Sequence, residues 1–259
     1  GTGKGKSSSG FGMILRCIAH GMPCAVVQFI KGNWITGEAE MIRNRFAEEC
    51  RFFVSGEGFT WETQDRARDI AAAQAGWEIA SHGLKWIDYK DHTAEVESAD
   101  MDEAIRLHRE VVGTAPRGWY TGRSSVNTVA LAAETGAFDY ISDTYDDDLP
   151  YWMQVAGRDQ LIIPYTLDCN DMRFATPQGF NSGDQFYAYL RDTFDALYAE
   201  GSAGQAKMMS VGLHCRLAGR PARTAALERF LDHVQSHDDV WVARRIDIVR
   251  HWIEHFPPR

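Results

Sequence analysis

The stretch AAAQAGWEIASHGLKWIDY, residues 71–89, decides how this chain is to be divided. Its first half reads as the tail of a helix running from about Thr63 into Ala80, and its second half as the opening of a segment dense in chemistry-bearing side chains. Nothing Pro- or Gly-rich separates the two, so a join at this point lies inside a helix rather than in a linker between finished domains.

The charge changes across the same place. Residues 1–77 hold 9 Lys+Arg against 8 Asp+Glu, and the remainder 18 against 28, giving +1 and -10 within a total of -9. Ordinary surface variation gives such a split as readily as two separate origins do. The acidic total speaks against coating nucleic acid, which needs a clustered basic surface. The length, 259 residues at 44% hydrophobic, suffices for one large α/β domain or two small ones. Cys17, Cys24, Cys50, Cys169 and Cys215 are odd in number and form no CxxC pair, as expected of a reduced cytoplasmic protein. No apolar run approaches the roughly 18 residues of a spanning helix and no basic-then-apolar leader is seen, so no membrane partner is expected.

Before the join, a Gly-rich loop leads into a helix ending at Gly21, followed by a strand PCAVVQFI, a helix over 38–49, a strand CRFFVSG and the helix from Thr63. After it, helices are expected over 101–112, 124–135, 183–200, 222–236 and 244–255. The strands FDYISD, LIIPYT, MMSVGLH and VWV fit between them. Such βα alternation is the pattern of a parallel sheet.

In the opening loop, backbone N–H groups can cradle phosphates, a lysine adds charge and a hydroxyl can reach Mg2+; Lys4, Lys6, Ser7 and Ser8 are the candidates. A plain Gly-rich turn is the alternative. The runs GKGKSSSGFGMILRCIAHGMPCAVVQFIKG and GEGFTWETQDRARDIAAAQAGWE closely resemble the corrinoid adenosyltransferases, over residues 1–78. That resemblance implies that Gly3, Lys4, Gly5, Lys6, Ser7 and Ser8 hold the triphosphate of ATP with Mg2+, while Phe59 and Trp61 press on the corrinoid. Core packing is the plainer reading of those two aromatics. The family's later acidic pair for Mg2+ has no counterpart after Trp77.

From Gly76 onward, GWEIASHGLKWIDY, GTAPRGWYTGRSSVNT, FDYISDTYDDDLPYW and VGLHCRLAGRPAR resemble the allantoinase-like branch of the polysaccharide deacetylase superfamily, over residues 76–259. The implied reaction is hydrolysis of a C–N bond in a cyclic amide, the opening of allantoin to allantoate in purine degradation. Such chemistry needs an activated water, an oxyanion donor and an acid for the leaving nitrogen. His82 and His214 fall at ends of expected elements, where α/β folds place their chemistry. Arg123 can bind a ureido oxygen bidentately, and the loop after the FDYISD strand offers Asp143, Asp147 and Asp148. The resemblance implies catalytic roles for His82, Arg123, His214 and Asp147, and substrate contact for Trp86, Trp119, Tyr120, Asn127, Tyr151 and Trp152. Without it, satisfied structural histidines and a solvated acidic loop are the plainer readings. Zinc deacetylases of the superfamily carry a His-x-x-x-His pair; here the second position is Trp86, so no zinc is expected.

The expected fold is therefore α/β: an incomplete, deformed (β/α) barrel of the polysaccharide deacetylase type over 79–259, preceded by a partial P-loop-type βα unit over 1–78. The expected partners are small molecules, a ureide, or ATP and a corrinoid if the opening segment is the active one; an inactive hybrid is the third reading. A homo-oligomer is compatible with each.

Overall fold

The computed structural model describes residues 14–15, 18–19, 24–29, 37–47, 50–55 and 78–258. The chain divides into two compact units, Gly1–Trp77 and Glu78–Arg259. Gly3, Lys4, Gly5, Lys6, Ser7, Ser8, Phe59 and Trp61 lie outside the described residues, as does the helix expected from Thr63.

In the first unit, β1 (Cys24–Phe29) and β2 (Cys50–Ser55) run parallel, from Cys24 opposite Cys50 to Phe29 opposite Ser55, with α1 (Gly37–Arg45) between them in sequence. This is the βαβ order expected from the apolar runs PCAVVQFI and CRFFVSG.

The second unit is mixed α/β. Its sheet has the order β3 (Gly118–Trp119), β4 (Tyr140–Ile141), β6 (Arg158–Ile162), β5 (Tyr151–Val155); the first three are parallel and β5 is antiparallel to β6. A parallel bridge between Ser81 and Trp119 extends the sheet past β3. Helices cover both faces. Ile141 and Ile162, opposite each other, face α2 (Ala94–Val112) and α3 (Thr128–Thr135) in one core with Met101, Ile105 and Ala132. Tyr140 and Leu161, one residue earlier on each strand, face Ile246 and Val249 of the helix Arg245–His255. Burial on both sides is why LII reads as a continuous apolar run rather than an alternation. A third core lies between the helices Gly183–Ser202 and Pro221–Gln235, where Phe186, Leu190 and Phe194 meet Ala226, Phe230 and Val234. With α4 as Gly183–Ser202, α5 as the short Cys215–Ala218, α6 as Pro221–Gln235 and α7 as Arg245–His255, the helices are named in chain order.

Several expectations are corrected. Helix α2 begins at Ala94, seven residues before the expected start, with Thr93 at its N-cap position and Glu95 and Glu97 in its first turn. Glu97 is buried there and accepts hydrogen bonds from Ser125 Oγ at 2.5 Å and from Thr128 Oγ1. Residues 124–127 form a turn ahead of α3, which starts at Thr128: the Ser125 N–H donates to Thr128 Oγ1 and the Asn127 N–H to Ser125 Oγ. The strand expected over 161–166 is instead the second arm of a hairpin, whose two-residue turn is Ala156–Gly157 with φ of 51° and 71°. Both residues of such a turn need positive φ, and Ala is a poor advertisement for it. MMSVGLH is reduced to one bridge, Asn170 with Gly212, and VWV is not a strand; Trp241 and Val242 are exposed.

The beginning of this unit is fastened to its end. The Glu78 carboxylate accepts a hydrogen bond from the Tyr140 hydroxyl at 2.7 Å and from the Ile246 N–H, in the first turn of α7, at 2.8 Å. That pairing satisfies one of the orphan donors of the helix start with a negative charge. Among the described residues no helix is long and apolar enough to cross a membrane.

Candidate active site

The parallel strands share one direction, so the residues just past their C-terminal ends gather at one edge of the sheet, where open α/β sheets bind ligands. His82 follows the Ser81 bridge, Tyr120 and Thr121 follow β3, Asp143 lies two residues past β4, and Tyr165 three past β6.

Their side chains form a connected series. Trp86, 54% exposed, meets His82 edge-on at 5.1 Å, and the Arg123 guanidinium lies over the Trp86 ring at 4.8 Å. His82 lies 5.2 Å from Tyr120, which stacks on Tyr165 at 4.7 Å. Tyr165 Oη accepts from Asn170 Nδ2 at 2.9 Å. Next to Asn170 stands Asp171, fully buried, with Oδ1 at 2.6 Å from His214 Nδ1 and Oδ2 accepting from the His214 N–H at 2.8 Å and the Ala218 N–H at 3.0 Å. Gly212 makes this approach feasible: a Cβ there would sit 2.1 Å from the Tyr165 hydroxyl and 2.6 Å from Asn170 Nδ2.

Two features set the electrostatics. Burial pushes the Tyr120, Tyr145 and Tyr165 phenols up from their ordinary range, so they offer O–H groups at neutral pH rather than phenolates. Burial likewise raises the Asp143 carboxyl, against the lowering effect of hydrogen bonds from the Thr121 N–H at 2.8 Å, the Gly122 N–H at 2.9 Å and Thr121 Oγ1 at 3.1 Å. With its oxygens occupied by that turn, Asp143 positions the loop carrying Tyr120 and Arg123.

The structure therefore brings His82, Trp86, Tyr120, Arg123 and His214 into this series and leaves others out. Asp147 is exposed and accepts from the N–H groups of Asp148 and Leu149, closing its own turn. Asp148 pairs with Lys207 at 3.6 Å. Trp119 is 2% exposed, packed against Phe138 at 5.0 Å in the core, and so is a wall of the fold. Trp152 donates from Nε1 to the Phe256 carbonyl at 2.6 Å, and the Tyr151 hydroxyl is bound to Asp146 at 3.0 Å. Asn127 sits at the N-cap position of α3. Sequence reasoning missed Asp171, Tyr165 and Asn170; Asn170 caps the short 3-10 turn that opens with Asp171.

Trp86, four residues after His82 in a non-helical stretch, presents an indole and offers no metal-ligating atom there. Among the described residues the three-donor group lies elsewhere, at Asp195, His233 and His237.

The family model described as ATP:corrinoid adenosyltransferase BtuR/CobO/CobP matches residues 1–96. A putative polysaccharide deacetylase of Schizosaccharomyces pombe is 40% identical over 205 residues, 72% of this chain and 63% of that protein. The solved probable polysaccharide deacetylase of Pseudomonas aeruginosa PAO1 is 52% identical with a TM-score of 0.69, over 80% of this chain and 69% of that one. The Puue allantoinase structure is 42% identical with a TM-score of 0.70, over 93% and 87%. The chain thus spans under two thirds of the length of the yeast relative and 41% to 66% of the curated corrinoid adenosyltransferases it matches. The chain belongs to the polysaccharide deacetylase family, on its allantoinase-like side, and its opening stretch is similar to corrinoid adenosyltransferases.

Proposed function

We propose that the second unit hydrolyses a C–N bond in a cyclic ureide, with allantoin as substrate and allantoate as product, within a deformed (β/α) barrel. The observation that carries this reading is the buried Asp171 held against His214 at 2.6 Å. A carboxylate on Nδ1 fixes that nitrogen as the donor and leaves the Nε2 lone pair free to act as a base, the orienting logic common to hydrolytic triads. His214 Nε2 takes a proton from water as the water oxygen bonds to the ring carbonyl carbon. The carbonyl oxygen then carries negative charge, which Arg123, stacked on Trp86, and the un-ionised Tyr120 hydroxyl accommodate as donors. As the carbonyl reforms, the C–N bond breaks and His214 returns its proton to the leaving nitrogen. His82, between Trp86 and Tyr120, lines the ring. No step runs through a metal.

The test is ring opening by the purified chain in the presence of a chelator. Activity that persists there and falls about 10²–10⁴-fold in His214→Ala supports the reading; a rate that chelation abolishes, or that His214→Ala leaves untouched, sinks it.

A second reading rests on the family match over residues 1–96: the Gly-rich segment Gly3 to Ser8 holds MgATP in a P-loop manner, with Phe59 and Trp61 toward a corrinoid. MgATP affinity measured calorimetrically and lost in Lys6→Ala supports it, whereas equal heats from both proteins end it.

A further inference from the structure

Asp195 on α4, His233 in the last turn of α6 and His237 just beyond that helix bring one carboxylate oxygen and two imidazole nitrogens within 4.8 Å of one another. None of them belongs to the candidate active site. We propose that these three residues form a structural binding site for a divalent transition ion of the zinc type, clamping the end of α6 to α4.

Two imidazoles and a carboxylate suit a borderline ion, with a water completing a tetrahedron. Three observations support a prepared site rather than a chance meeting. His237 Nδ1 donates to the His233 carbonyl at 2.8 Å, which fixes its tautomer and turns the Nε2 lone pair outward, the outer-shell arrangement usual for a ligating histidine. The His233 Nε2 atom already faces Asp195 Oδ1 at 2.6 Å, so that both ligand atoms are aimed at one place and need only part slightly to admit an ion. The rings stand on an aromatic floor, with His237 5.0 Å from Phe194 and 4.7 Å from Tyr198, and the Tyr198 hydroxyl donates to the Asp238 carbonyl at 3.1 Å, holding the segment that carries His237. His233 and His237 are half-buried and Asp195 is exposed, leaving one side for water. Asp195 and His233 project from two helices that share a core, His237 follows the second of them, and binding there is folding free energy for that core.

The test uses the full chain stripped with a chelator and dialysed against Zn2+, with bound metal counted per chain and the unfolding midpoint followed. About one equivalent is expected, with a rise of roughly 5–10 °C at a hundredfold excess over the dissociation constant. In His237→Gln and in Asp195→Asn the affinity is expected to fall at least about tenfold and the rise to disappear. A His251→Gln/His255→Gln variant, which removes the stacked histidine pair on α7, is expected to bind as the parent does. An absence of stoichiometric zinc in the parent overturns the proposal, as does zinc retained with parental affinity by both His237→Gln and Asp195→Asn.

Discussion

Replacing Asp171 by Asn separates the fold from the chemistry at one atom. The parent carboxylate accepts three hydrogen bonds, the His214 and Ala218 N–H groups on Oδ2 and His214 Nδ1 on Oδ1. The amide keeps a single acceptor oxygen. Placed toward the backbone, it preserves two bonds and turns its NH2 toward Nδ1, which must then accept, moving the proton of the neutral ring to Nε2. Placed the other way, it leaves two buried N–H groups without an acceptor, at about 1–3 kcal/mol each. The first arrangement wins. Its cost is the difference between bonds to a charge, about 1.5–3 kcal/mol, and neutral ones, about 0.5–1.5 kcal/mol, so three bonds give roughly 3 kcal/mol of lost stability. Because Nε2 now carries a proton, kcat is expected to fall about 10²–10⁴-fold in protein that is still folded. Urea unfolding and initial rates of ring opening measure the two effects, and nitrogen-15 shifts of His214 report the tautomer. Asp171→Asn added to His214→Ala should cost almost no further rate, since the two act as a unit. A kcat within threefold of the parent, in a protein destabilised as stated, would refute the assignment of His214 as base.

Three further outcomes are expected. Gly212→Ala forces Tyr165 and Asn170 apart and should cost about 1–3 kcal/mol in urea unfolding; a neutral result would mean that the hydroxyl at 2.1 Å moves freely. Because burial raises the folded pKa of Asp143 above its ordinary value near 3.8, its contribution to stability is whole below that value and is lost as pH climbs through the raised one. The stability of the parent relative to Asp143→Asn should therefore decline as pH rises above that ordinary value, and a difference that grows with pH would reverse the sign. Cys169, buried with its thiol pushed up to about 11, should resist alkylation at pH 8 until urea is added, with about one thiol in a thousand ionised, while exposed Cys215 reacts; peptide mass spectrometry reads both.

What could be read in advance followed from how local each signal was. The strands around Val26 and Phe53 and the helices α4, α6 and α7 were legible because an apolar run or an amphipathic helix writes its period into its own residues. His82, Arg123 and His214 were singled out because they are embedded in long motifs, and the structure places them along the candidate site. The start of α2 was spelled out by Thr93 and two glutamates but was passed over in favour of the apolar pattern that begins at Met101. The Ala156–Gly157 hairpin lacked the usual Asn-Gly lettering. Asp171 was invisible for another reason: its meaning arises from a partner 43 residues away and from the absence of a side chain at Gly212, and neither leaves a mark on the sequence around it. Conversely, the acidic run near Asp147 looked chemical because it was dense in charge, and it proved to be spent on its own turn.

The Glu78 contacts have a consequence for how this unit could be rearranged. Its opening residue reaches, through one carboxylate, the amide that starts its final helix. New termini could therefore be cut elsewhere, at the exposed Ala156–Gly157 turn for instance, and the old ones joined by a short bridge beyond α7, giving a circularly permuted protein with the same strand order. Any such rearrangement, or any fusion in front of the unit, would have to leave the Glu78 carboxylate free to reach the Ile246 amide.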